Sequence, residues 1–236
     1  MTPVVDIIGY VVTAMKPVIS ALTYTVSRGG VRFATTDRGI LRRVFIGEKI
    51  RVTGSDGIVY YGSITSVTQW SSFEADFPSL PTNISTLTAA ALIINYHYGH
   101  PLEITNMIRQ KVQNENYNRE VFPMVCLFQD FKETFKEAHE WEAELNVVIV
   151  TDTRPEYEAS QRYTYSFTPM LYPLYELFLQ ELAASKYIQN THFDHVKYDR
   201  LYWGKSGIYG NVANIFNDFI DAIELENLRV KILKSC

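Results

Sequence analysis

Apolar residues recur at Val4, Ile7, Ile8, Val11, Val12, Met15, Val18 and Ile19. Spacings of three and four predict an amphipathic helix, ending near Pro17. From Thr23 the period drops to two, with β-branched and aromatic residues in TYTVSRGGVRFATT, VFIGEKIRVTG and IVYYGSITSVTQW. These segments read as strands. Gly29-Gly30 and Asp56-Gly57 stand between them, and Asp-Gly favours the tight type I′ hairpin turn because both central residues need positive φ. Residues 23–98 are therefore predicted to form a small all-β, barrel-like module that closes through LTAAALIINYHYG.

The composition shifts at Gly99 and Pro101. PLEITNMIRQKVQNE places Ile104, Met107, Ile108 and Val112 on one helical face. VFPMVCLFQDF and WEAELNVVIVTD read as two strands of a long hairpin, joined by the charged stretch KETFKEAHE. Asp152 or Thr153 is placed to cap a helix with Pro155 near its first position. That helix runs through PEYEASQRYTYSF to Thr168-Pro169, where a second begins, PMLYPLYELFLQELAAS, kinked at Pro173. A loop rich in Tyr and Gly follows. AIELENLRVKIL closes the chain as a strand with Ile223, Leu225, Leu228, Val230 and Ile232 mostly on one side. The pattern predicts an α+β fold, with helices packed on one face of a mainly antiparallel sheet and an inserted small all-β module. The divisions are residues 1–22 as a helix on the core, 23–98 as the inserted module, and 99–236 as the core domain.

Composition sharpens this picture. Of 236 residues, 47% are hydrophobic and 20% charged, which excludes a disordered chain. Aromatics reach 14%, with 16 Tyr against 3 Trp, and tyrosine suits half-buried contact surfaces. The net charge of -4 is unevenly distributed: residues 1–55 hold 8 Lys+Arg against 3 Asp+Glu, and the remainder is acidic. No apolar run approaches the length of a membrane-spanning helix, and Asp6 stands where a signal peptide carries a cation, so a cytoplasmic site of synthesis is expected. Cys126 and Cys236 read as free thiols of a reducing compartment.

The search for chemistry returns little. No phosphate-binding glycine motif occurs, and Gly204, Gly207 and Gly210 lack the following helix. His97 with His100, and His192 with Asp194 and His195, offer metal-ligand spacings but not three or four convergent ligands. Cys126 lies mid-strand and reads as core. Glu133, Glu137, Glu140, Glu142 and Glu144 form an acidic hairpin, read first as a solvated face. Arg28, Arg32, Arg38, Arg42 and Arg43, with Phe33 and Phe45 between them, make a basic contact patch for nucleic acid or for an acidic protein surface. Tyr198, Tyr202, Trp203 and Tyr209 sit in YDRLYWGKSGIYGNVANIFND, and large rings among glycines read as interface anchors. No catalytic residue, metal or cofactor is predicted.

The succession FPMVCLF, ELNVVIVTDT, YPLYELFLQEL, YDRLYWG and NIFNDFIDAIELENLRV, across about residues 101–236, resembles tail terminator or tail-completion (neck) proteins of tailed bacteriophages, of the kind found in phages of Bacteroidetes-type hosts. The resemblance implies a non-enzymatic virion protein with an α+β fold. It implies a homo-oligomeric ring, commonly a hexamer, at the head-proximal end of the tail. Such a ring stops tube polymerisation, meets tail-tube and neck or connector proteins, and lets genomic DNA pass without sequence specificity. On that reading Glu133, Glu137 and Glu140 face the channel, where carboxylates repel phosphates. The alternatives are another neck, head-closure or baseplate adaptor protein, and a hydrolase using Glu140 to Glu144 with His192 or His195.

Overall fold

The computed structural model describes residues 3–16, 23–27, 30–35, 44–68, 71–81, 83, 86–100, 103–104, 106, 121–137, 140–154, 156–203 and 220–233, with backbone alone at 27, 88–91, 136, 137 and 140. The fold is α+β. It divides into two compact units, Lys16–Ile94 and Met1–Met15 with Asn95–Cys236. Helix α1, Val4–Met15, opens the chain and buries Val4, Ile7, Ile8, Val11, Val12 and Met15.

Unit Lys16–Ile94 is a curled, half-barrel antiparallel sheet. Its strands are β1 (Thr23–Ser27), β2 (Gly30–Ala34), β3 (Lys49–Gly54), β4 (Val59–Thr68), β5 (Ser72–Asp76) and β6 (Leu87–Leu92), in the order β1-β2-β5-β4-β3-β6. The period-two alternation sends Val31, Phe33, Ile50, Val52, Tyr60, Ile64 and Phe73 into one core, where Phe33 and Phe73 stack at 4.9 Å. Gly62 is required by a close approach, because a Cβ there would meet the Asp76 carbonyl oxygen at 2.4 Å. The turn at Asp56-Gly57 is not type I′. Gly57 alone has positive φ, 78°. The Asp56 carboxylate accepts the Ile58 N–H (3.0 Å) and the Tyr60 hydroxyl proton (2.5 Å). The Tyr60 bond, then the Ile58 N–H, holds the Asp56 pKa below its ordinary value.

No ladder joins the two edge strands β1 and β6. The Tyr24 hydroxyl links them instead, accepting the Leu87 N–H at 2.7 Å and donating to the Leu87 carbonyl at 3.0 Å. The closing segment predicted from the sequence also splits. LTAAAL is β6, whereas Asn95–Gly99 forms β7 and pairs in parallel with β8, Met124–Phe128, in the other unit. The boundary at 98 is therefore corrected to Ile94. Ile93 still donates to Lys49, but Asn95 donates from its backbone to Pro123 and from Nδ2 to Val121.

In the second unit, β9 (Lys132–Glu137), β10 (Glu140–Asp152), β11 (Val196–Arg200) and β12 (Ile220–Leu233) complete a mainly antiparallel sheet ordered β11-β12-β10-β8-β7, with β9 on β10. KETFKE is thus a strand rather than a connection, because Glu133 and Phe135 fall opposite Ala143 and Trp141. The β10–β12 register shifts between Leu145 and Val147, where Leu228 and Leu225 are the partners. The extra residue is on β12 and Asn227 takes φ 56°. This bulge keeps Leu225, Leu228, Val230 and Ile232 on one face although their sequence spacing breaks period two.

That face carries the helices. Ala159–Arg162 (α2), a π-helical segment Tyr163–Leu171 and Tyr172–Ala184 (α3) run end to end, so the two helices predicted around Pro169 are one. Pro169 lies inside the π turns, and Pro173 at the start of α3. The run begins at Glu158, whose N–H is accepted by Gln161 Oε1 at 2.9 Å. Asp152 cannot cap it, since it still belongs to β10 opposite Ile220. Helix α1 packs on α3 and on β7 and β8, and Tyr96 donates its hydroxyl to the Val5 carbonyl at 2.8 Å. The opposite face of the sheet buries Met124, Cys126, Phe128, Val148, Val150, Ile220 and Ala222 with Ile104, Val121, Phe122 and Trp203. Of the predicted helix after Pro101, only Glu103, Ile104 and Asn106 are described, all helical.

Tyr24→Phe should destabilise unit Lys16–Ile94 by about 1–3 kcal/mol, because the Leu87 N–H loses its partner in a part-buried setting. Urea unfolding followed by hydrogen exchange at Leu87 measures this.

Candidate functional site

Arg162 is fully buried at the junction of α2 and the π segment, with the equally buried Asp221 opposite it on β12. Both side chains are 0% exposed and Nη1 lies 2.8 Å from Asp221 Oδ1. Nε donates to the Tyr157 carbonyl at 3.0 Å and Nη2 to that of Arg154 at 2.9 Å. The Tyr202 ring covers the guanidinium at 3.6 Å. Tyr202 sits in the left-handed region, φ 52°, which is costly for a bulky residue. The contacts that hold it there include the cation–π stack, its N–H to Asp221 (3.3 Å) and its hydroxyl to Tyr157 (3.2 Å). This cluster is a fixed joint between helix run, sheet and the turn after β11.

A second polar cluster lines edge strand β11 against α3. Tyr172 donates to Asp199 at 2.6 Å, and Lys197 Nζ is 2.5 Å from the other carboxylate oxygen. Lys197 also lies over the Tyr172 and Tyr175 rings. Desolvation first, then the bond to Asp199, pushes the Tyr172 phenol above its ordinary pKa. The Tyr175 hydroxyl meets His195 Nε2 at 2.9 Å, while His195 Nδ1 lies 2.8 Å from the Phe193 carbonyl. On the other face Arg200 pairs with Glu224 at 2.7 Å. Charges of both signs along an edge strand oppose uncontrolled strand addition, and here they are spent on one another.

The predicted site residues divide sharply. Trp203 is corrected from interface to core: it is 3% exposed, and it stacks on Phe128 at 6.2 Å. The Trp203 N–H donates to the Ile220 carbonyl at 2.8 Å, holding the ring's backbone against β12. Tyr202 is likewise occupied internally. Tyr198 is more open, at 36%, with Arg200 over its ring at 4.2 Å. Tyr209, Gly204, Gly207, Gly210, Cys236 and the patch residues Arg28, Arg38, Arg42 and Arg43 lie outside the described residues. Arg32 is exposed on β2 and donates to Ser72 Oγ at 3.2 Å.

The acidic hairpin is charge-balanced on one face. Glu144 pairs with Arg229 at 3.2 Å and Glu142 with Lys231 at 3.8 Å, cross-strand neighbours in the β10–β12 register. Lys132 stands opposite Glu144 on β9. Glu133 is exposed, and partial desolvation pushes its carboxyl above the ordinary range. Glu137 and Glu140 pair with each other's backbone at the end of the β9–β10 hairpin. Cys126 is buried, and burial pushes its thiol far above the ordinary value. His97 lies on β7 and His100 just after it. Among the described residues no group of three His, Cys, Asp or Glu could hold a metal ion.

Pattern reading missed Arg162 and Asp221. The available signal was a carboxylate inside the apolar run FIDAIEL, where burial demands a partner. It also missed Phe135, exposed to 69% and stacked on Trp141 at 5.3 Å. At the far end of β10, Tyr165 is 57% exposed beside Tyr157, ring centroids 5.1 Å apart. Phe135 and Tyr165 thus lie at opposite ends of the longest strand pair, while Tyr10 on α1 and Tyr98 on β7 are exposed elsewhere. Among the described residues no helix is long and apolar enough to cross a membrane. Neither a protein-family model nor a curated protein matches the chain.

Asp221→Ala should cost about 3–5 kcal/mol by stranding a buried guanidinium. Replacing both partners, Arg162→Met with Asp221→Leu, should recover most of it; equal losses in single and double variants on denaturation would contradict the pairing. Trp203→Ala should destabilise the same unit by about 3–5 kcal/mol through the cavity it leaves, as read from its unfolding midpoint.

Proposed function

We propose that this chain is a non-enzymatic structural subunit that assembles with copies of itself into a ring, of the kind formed by phage tail terminator or tail-completion proteins. The observation that carries the reading is the pair of exposed aromatic surfaces at opposite ends of β10. Phe135 on Trp141 lies at one end, and Tyr165 with Tyr157 at the other. At about 3.3 Å per residue a 13-residue strand spans roughly 40 Å, too far for one surface to cover the other within a molecule. A ring interface is heterologous and needs two such different surfaces on each subunit. Aromatic residues are also the usual anchors of protein interfaces.

The reading gives the protein a virion location at the tail-to-head junction, with tail-tube and neck or connector proteins as neighbours. The hairpin's contribution to a DNA passage would rest on Glu133, Glu137 and Glu140, since Glu142 and Glu144 are paired with cations. Native mass measurement with negative-stain imaging tests the assembly. One discrete oligomer with a central opening is expected, and a monomer at the highest soluble concentration rejects it. Phe135→Ser should weaken association by about 2 kcal/mol, roughly thirtyfold, with the monomer's unfolding curve nearly unchanged because the ring is exposed. Unaltered association in a folded Phe135→Ser chain would remove Phe135 from the interface.

A further inference from the structure

Glu48 is 0% exposed at the entry to β3. Its Oε2 accepts the Phe45 N–H at 3.1 Å, and its Oε1 has no hydrogen-bond partner among the described residues. Among the described residues no cation answers it. Desolvation and the Phe45 N–H are the influences on its carboxyl, and burial, the larger, holds it well above the ordinary carboxylate range. The neighbouring Lys49 gives its Nζ to Ser63 at 3.4 Å, and Arg51 lies exposed on β3. An ionised carboxylate in such a place lacks the pairing that buried charge requires.

The same residue is a backbone junction. Glu48 N–H donates to Phe45 (3.2 Å), Ile64 N–H donates to Glu48 (2.9 Å), and Gly47 N–H donates to Ile64 (2.7 Å). Gly47 takes φ 89°, which lets the Phe45–Glu48 turn fold back so tightly. We infer that Glu48 is a proton-operated latch: protonated, it stays inside the module and fixes the turn that launches β3, and on losing its proton it leaves the core and the turn opens. The inference is independent of the ring reading, because it concerns a bond set inside Lys16–Ile94.

The sign follows from linkage. A carboxyl raised on folding contributes its full stability below the unfolded-state value of 4.5, and loses it as pH climbs towards the native value. Within that window the opening constant rises about tenfold per pH unit. The test is hydrogen exchange on the full chain from about pH 5 to about pH 8, with intrinsic rates divided out. The protection factors of the Gly47 and Ile64 amides should fall by up to about tenfold per pH unit in the wild type. Glu48→Gln keeps the shape without the titration. It should give protection that is flat with pH and higher than wild type at neutrality. Flat wild-type protection, or the same slope in the variant, overturns the latch. Should Glu48→Gln not fold, 13C NMR of the wild-type Glu48 Cδ decides. A midpoint above that of the exposed glutamates supports the inference, and titration together with them overturns it.

Discussion

The buried contact between Arg162 and Asp221 is the constraint around which the second unit is organised. A guanidinium withdrawn from water needs a carboxylate and carbonyls in fixed places, and it finds them on three separate pieces of chain: the segment Arg154–Tyr157, strand β12 and, over its face, the Tyr202 ring. Each of those pieces is thereby told where to stop. β10 must end before Arg154, the helix run must start where residue 162 points at the sheet, and the turn after β11 must accept a left-handed tyrosine. Such a pair adds little net stability compared with a well-packed apolar substitute. Its effect is on which arrangement forms, since any alternative packing leaves a charge unpaired.

The β12 bulge performs the same kind of selection without any charge. Asn227 donates its N–H to Asn146 Oδ1 at 3.2 Å, and Asn146 Nδ2 donates to the Asp130 carbonyl at 3.1 Å. Two asparagines therefore pin the place where the strand pair changes register. On the inner side of the bulge both faces of the sheet are covered; beyond it one face is a row of cross-strand ion pairs in water. Without the extra residue, Leu228, Val230 and Ile232 would turn to that wet face.

Much of this architecture was legible. The three-four spacing of α1 and the alternation in KIRVTG and VYYGSITSVT correspond directly to buried positions. The three-residue step from Leu225 to Leu228 was visible as an imperfect alternation. What failed was reading composition as location. KETFKE is charged because it is an edge strand whose described side chains, at 132–135, are exposed on both faces, and the aromatic loop reads as an interface because its large rings stand among glycines, although Trp203 faces a sheet surface otherwise lined by Met124, Cys126 and Phe128. Nor could a half-barrel with a side-chain seam at Tyr24 be told from a closed barrel, since both alternate alike.

The second unit is assembled from two stretches separated in sequence by Lys16–Ile94, and the bond from Tyr96 to Val5 joins them across that gap. Gly9 lies close against the Tyr96 ring, 3.2 Å from where a Cβ would stand, so the seat of α1 has little room for a side chain there. Bringing α1 home from a flexible chain would mean closing a loop of about 80 residues, with an entropy cost that grows as the logarithm of its length. If the β module has already folded, most of that loop is a rigid body and the search shrinks to the orientation of its two ends. The topology therefore favours a route in which the module folds before α1 docks. The elements that cover α1 among the described residues, β7, β8 and α3, all follow the module in sequence, so they are the last to be supplied during synthesis.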